Sequence, residues 1–203
     1  MKKTVLIAVA SLALLTGCSS TDEPAASEPN VPPATADGNG LKSQGLDGPE
    51  RSDRGNLIAE VGKATGYSID GTQIVDFVVT SIVVDPVCTG ETAVPPENGH
   101  FVVVNMEVST APELADDKNP YFMPDNFDVI AANGTNMNGI PYTTAAGSCL
   151  PSNEMITMTM GPGEKAAGSV VLDVPTPSGT LILDDFADNE NWEFEYPTAT
   201  AAA

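Results

Sequence analysis

Phe101-Val102-Val103-Val104-Asn105-Met106-Glu107-Val108-Ser109 decides the fold. Val102, Val104, Met106 and Val108 fall on one side of an extended chain. Phe101, Val103, Asn105, Glu107 and Ser109 fall on the other. Successive side chains of a strand point to opposite faces, so this run reads as a strand with one buried face and one wetter face. Before it, residues 91–99 carry Pro95-Pro96 and Asn98-Gly99 and read as turn. Further back the same period begins at Thr72. Val75, Phe77 and Val79 share a face with Asp76 opposite, and the run continues through Ile82-Val83-Val84. A bulge at Thr80-Ser81 reconciles the two halves by swapping faces. Pro86 and Cys88 end that strand. Residues 57–64 form a lead-in of helical or extended character.

After the central strand, 112–124 is a long polar loop. Phe127 and Val129 begin a strand that reaches Asn133-Gly134, a tight-turn signal. Asn133-Gly134-Thr135 also matches a glycosylation sequon and is read as a turn only. Residues 140–153 read as loop and carry Cys149. Ile156, Met158 and Met160 alternate with Thr157 and Thr159, which predicts another strand. Gly161-Pro162-Gly163-Glu164 is a turn. Val170, Leu172 and Val174 are the next inward set, ended by Pro175 and Pro177. A strand over 180–183 follows. Trp192, Phe194 and Tyr196 then alternate with Glu193 and Glu195. About seven short strands without a long helix predict an all-β chain, an antiparallel β-sandwich. A Greek-key barrel is the competing architecture, and pattern alone does not separate the two.

The N-terminus is organised differently. Lys2-Lys3 precedes an apolar run from Val5 to Leu15, shorter than the roughly 20 residues that span a bilayer. A basic start, a short apolar stretch and small residues define an export signal. Leu15-Thr16-Gly17-Cys18 resembles the bacterial lipobox. The resemblance implies removal of 1–17, a diacylglyceryl group on the Cys18 thiol, and Cys18 as the mature N-terminus held at the outer side of the cell membrane. Two acyl chains suffice for stable anchoring. An ordinary signal peptide with an incidental Cys is the alternative. Residues 18–56 are rich in Ser, Ala, Pro, Gly, Asp and Glu, with few large apolar residues. They cannot bury enough surface to offset ordering entropy, so a disordered acidic linker is expected. Such a coil reaches about 35 Å on average. The organisation expected is therefore leader 1–17, anchored linker 18–56, sandwich 57–197 and flexible tail 198–203.

The chain holds 28 acidic and 8 basic residues, a net charge of −20. That charge repels phosphate backbones and excludes nucleic acid as a partner. It also opposes docking flat onto anionic lipid. If Cys18 is lipidated, Cys88 and Cys149 remain. In an exported, oxidising setting they most simply form a disulfide. Two free buried thiols, or half of a metal site without CxxC spacing, are the alternatives.

Phe101 to Val108, the Pro162-Gly163-Glu164-Lys165 turn, and Gly168-Ser169-Val170-Val171-Leu172-Asp173-Val174-Pro175 together resemble a known group. It is the telokin-like, immunoglobulin-like domain of unknown function in Gram-positive surface lipoproteins, related to secreted immunogenic antigens of mycobacteria. The resemblance covers residues 67–197. It implies an immunoglobulin-like sandwich and an extracytoplasmic location, and it transfers no catalytic residue. Trp192 follows both Cys88 and Cys149. The pair is therefore not the inter-sheet arrangement of antibody domains and is expected to staple loops to the sandwich.

Residues able to carry chemistry are sparse. His100 is the single histidine, and no Gly-x-Ser-x-Gly is present. Asp116-Asp117 and the acidic run at 184–190 are the densest carboxylates; the second suits calcium through oxygen ligands, but lacks the spacing and glycine of an EF-hand. Met106, Met123, Met137, Met155, Met158 and Met160 with His100 suggest Cu(I). Alternation instead places Met158 and Met160 beside Ile156, and Met106 among valines, as core. The expectation is a non-enzymatic binding module at the cell envelope, with no cofactor, metal site or catalytic residue. Its contact surface for a protein or cell-wall partner is expected on loops 112–126 and 142–154 or on a sheet edge. An extracytoplasmic copper- or calcium-handling protein is the alternative.

Overall fold

The computed structural model describes residues 50–115, 120–184 and 190–197. Cys18, the leader, most of the linker, Asp116-Asp117, residues 185–189 and the tail lie outside the described residues. Among the described residues eight strands form two four-stranded sheets. One sheet holds β2 (Ala64–Ile69), β3 (Thr72–Val84), β4 (His100–Thr110) and β6 (Lys165–Val174), in that order. The other runs β1 (Leu57–Ile58), β8 (Trp192–Tyr196), β7 (Gly179–Leu183), β5 (Phe127–Ala131). The chain changes sheet from β4 to β5, back to β6, and again to β7. Neighbours β4 and β6 thus face the ordered set β5, β7, β8, as strands B and E face C, F and G in immunoglobulin-like sandwiches. Two open sheets, rather than one closed sheet, decide for the sandwich over the barrel. Every pairing is antiparallel except β1 with β8.

Val75, Phe77 and Val79 of β3 point inward with Val102, Val104, Met106 and Val108 of β4 and Val170, Leu172 and Val174 of β6. They meet Phe127, Leu181, Leu183, Trp192 and Phe194 from the other sheet. Phe77 makes edge-on contacts with Trp192 and Phe122, with ring centroids 5.1 and 5.8 Å apart. The β3–β4 register shifts between Val79 and Ser81, the bulge that the change of parity requires.

Several expectations are corrected. Residues 140–153 are not all loop: α1 (Thr144–Cys149) lies within them. Thr143 caps it by accepting from the amide of Ala146, and Pro151 follows its extended C-cap Leu150. The small side chains Ala145 and Ala146 let α1 sit close against the outer face of β4 and β6, burying Phe101, Val103 and Val171. The "wetter" face of the central strand is therefore dry at its His100 end. Residues 155–160 make only isolated bridges, Met155 to Ser169 and Tyr121 to Thr159, rather than a strand. Ile156 and Met160 are buried there, but Met158 is 62% exposed and does not share their face. The folded part also begins before Leu57. Arg51 bridges Leu57, and the amide of Ile58 donates to the carbonyl of Glu50.

Candidate functional site

The His100–Val174 end of the sandwich brings two irregular segments together, 85–99 and 140–153. Asp173 organises them. It lies at the apolar end of β6, its side chain faces outward with Phe101 as its β4 partner, and it is fully buried. A buried carboxylate needs donors. The amides of Glu97 (2.7 Å) and Asn98 (2.9 Å) and the hydroxyl of Thr143 (2.7 Å) supply them. Its backbone joins the same web: the Asn98 side-chain amide donates to its carbonyl, and its own amide donates to the carbonyl of Pro141. One carboxylate thus fixes the end of the first segment and, through Thr143, the cap of α1.

A covalent bond closes the other side. Cys88 and Cys149 form a disulfide with Cα atoms 4.6 Å apart. The amides of Thr89 and Gly90 both donate to the Cys149 carbonyl at 2.9 Å. Gly90 passes so close to the Ser148 carbonyl that a Cβ at this position would collide with it. Glycine is needed there for close approach. The two segments are tied to each other at Cys149 and, through Asp173, to the sheet.

This rigid assembly exposes large apolar side chains. Val87 is 88% exposed, and Val94, Ile140 and Tyr142 are each half-exposed or more. A groove of about 420 Å³ runs beside the disulfide between Asp85, Pro86, Val94, Pro95, Pro96 and Phe101. His100 Nδ1 lies 2.9 Å from Asp85 Oδ2 at the groove's rim. The segments carry Asp85, Glu91 and Glu97 but neither Lys nor Arg.

The opposite end carries a different cluster. Glu193 of β8 accepts from Ser52 (2.8 Å), Asn56 (2.8 Å) and both sides of the Arg54 guanidinium (2.8 Å each). Burial pushes the Glu193 carboxyl pKa up, but the hydrogen bonds from Arg54, Ser52 and Asn56 outweigh it and hold the pKa below its ordinary value. Burial, with Asp128 nearby, raises that of Asp184.

Of the residues singled out in the sequence, Cys88 and Cys149 are joined. Met106 and Met160 lie in the core, Met158 faces out, and Met155 packs against the residues beneath α1. The thioethers do not gather around His100. Among the described residues no group of three His, Cys, Asp or Glu could hold a metal ion. In segment 112–126, of which 116–119 lie outside the described residues, Leu114 and Phe122 are buried in the core while Tyr121 is exposed. Sequence reasoning passed over Asp173. Its signal was a charge inside the apolar run Val170-Val171-Leu172-Asp173-Val174.

The site and fold define an antiparallel β-sandwich with a disulfide-bonded loop assembly at one end. A secreted protein from Mycobacterium tuberculosis, MPT63, is among its structural neighbours, at 16% identity and a TM-score of 0.39 over 69% of this chain and 97% of that one. No family profile and no curated protein matches the chain. Among the described residues no helix is long and apolar enough to cross a membrane.

Proposed function

We propose that this chain is a cell-surface lipoprotein whose sandwich is a non-enzymatic binding module, with the stapled end as its contact surface. The observation that carries the reading is the exposure of Val87, Val94, Ile140 and Tyr142 on segments locked by Asp173 and the disulfide. Apolar side chains held rigidly in water are suited to recognition, because little ordering entropy remains to be lost on binding. The disulfide agrees with an exported, oxidising location. Leu15-Thr16-Gly17-Cys18 supports the lipid anchor, and the acidic linker supports reach away from the membrane. The copper alternative gains no supporting geometry from Met106 and Met160 in the core and Met158 facing out, and the acidic run suited to calcium lies mostly outside the described residues.

Photo-crosslinking side chains placed singly at Val87, Tyr142 and Ser109 in intact cells test the surface. Val87 and Tyr142 should capture a common partner, and Ser109, at the far end of β4, should not. Capture of that partner from Ser109 alone would reject the assignment. Metabolic labelling with a fatty-acid analogue tests the anchor: label should be lost in Cys18→Ala, and its retention would remove the lipoprotein reading.

A further inference from the structure

We propose, resting on the stapled end as contact surface, that the groove beside the disulfide receives an apolar side chain from a cationic polypeptide segment. Pro86, Val94, Pro95, Pro96 and Phe101 give the groove apolar walls, and Asp85 stands at its rim. Its volume of about 420 Å³ accommodates one large side chain and the backbone beside it. The walls are preorganised: Pro95 and Pro96 have fixed φ, and Phe101 is packed beneath α1.

Charge selects the occupant. From residue 64 to residue 117 the sequence contains no Lys or Arg, and none lies between 119 and 164. The groove and its surroundings carry Asp85, Glu91 and Glu97. Glu91 and Glu97 belong to no ion pair among the described residues, and Asp85 lies within hydrogen-bond distance of His100. Arg51, Arg54 and Lys63 belong to the β1 side, and Lys165 lies at the foot of β6. Among the described residues, the approach to the groove therefore carries carboxylates and no Lys or Arg. A negative field lined by low-dielectric walls concentrates cations and repels anions. A second copy of this chain, at −20, is repelled, as are anionic polymers. A segment with Lys or Arg flanking an apolar residue satisfies both the walls and the field.

The test uses the ¹⁵N-labelled full chain and three short synthetic peptides. One has a leucine flanked by lysines, one the same leucine flanked by glutamates, and one a glycine flanked by lysines. The lysine–leucine peptide should cause saturable shifts at the Val94 and His100 amides, and added salt should weaken them. The glycine peptide should bind about tenfold more weakly, the loss expected for one anchoring side chain. Val94→Asp and Glu91→Lys should each weaken binding while leaving resonances outside the groove unchanged. Equal binding of the leucine and glycine peptides, with shifts spread over the whole acidic surface, would overturn the proposal. So would binding of the glutamate peptide, or no saturable binding of the lysine–leucine peptide. If Val87 and Tyr142 still crosslink a common partner while the lysine–leucine peptide fails, the contact surface stands and the cationic occupant falls.

Discussion

Asp173 and Glu193 are both acidic residues flanked by apolar neighbours in a strand, both buried, one on the outer face of each sheet. They solve the same problem in opposite ways. Glu193 is neutralised by a cation, Arg54, and all its donors come from one short segment, Ser52 to Asn56. Asp173 is held by two backbone amides and a hydroxyl drawn from two segments far apart in sequence. The cation-paired carboxylate pins one stretch of chain where it enters the sandwich. The carboxylate cradled by neutral donors joins two loops to each other, and a disulfide secures them. The first arrangement fixes one local segment, and the second joins two distant ones.

Breaking the covalent tie should have the largest effect. The disulfide spans a sequence separation of 61, and chain entropy alone puts the loss in Cys88→Ser/Cys149→Ser at about 4 kcal/mol in denaturant unfolding. The amides of Thr89 and Gly90 should lose hydrogen-exchange protection, while that of Leu57 at the other end keeps its own relative to the lowered global stability. Next comes Asp173→Ala, which leaves the amides of Glu97 and Asn98 and the hydroxyl of Thr143 without their acceptor. A loss of about 3 kcal/mol is expected by the same measurement.

Glu193→Gln should cost less, about 2 kcal/mol for hydrogen bonds to a partly exposed Arg. It also sharpens the comparison through pH. The folded pKa of Glu193 is lowered, so its ionised form stabilises the fold. That contribution is complete above the ordinary glutamate value and is lost as pH falls through the lowered folded value. Protection of the Leu57 and Ala59 amides should fade over that window in the native chain, and Glu193→Gln should remove the dependence. Asp184, with its raised pKa, works in the other direction: its ionisation opposes folding at neutral pH, and that penalty is relieved as pH falls through the raised value. The smallest effect expected is for Gly90→Ala, about 1.5 kcal/mol as the chain moves off the Ser148 carbonyl. Its exchange changes should be confined to the stapled end.

The sequence made the sheets readable because alternation reports which side chains share a face. The bulge at Thr80 followed from parity alone, since Val79 and Ile82 both face inward. Alternation does not report what covers a face. Phe101 and Val103 looked half-wet because the helix that covers them, Thr144–Cys149, is built of Thr, Ala, Gly, Ser and Cys and carries no apolar stripe of helical period. Residues 156–160 alternated without pairing as a strand, because the two bridges recorded there tie them to Ser169 and Tyr121 only at single points. The stapled end was half legible. Segment 142–154 was marked by Cys149, but 85–99 read as turn, and only the disulfide and Asp173 join the two.

The most direct test of the account joins the surface to its staples. Crosslink yield from Tyr142 to its partner is measured in the native chain, in Cys88→Ser/Cys149→Ser and in Glu193→Gln, each at matched surface abundance. The account expects the yield to collapse when the disulfide is removed and to persist when the Glu193 clamp is weakened. Undiminished capture without the disulfide would contradict a preorganised surface at the stapled end.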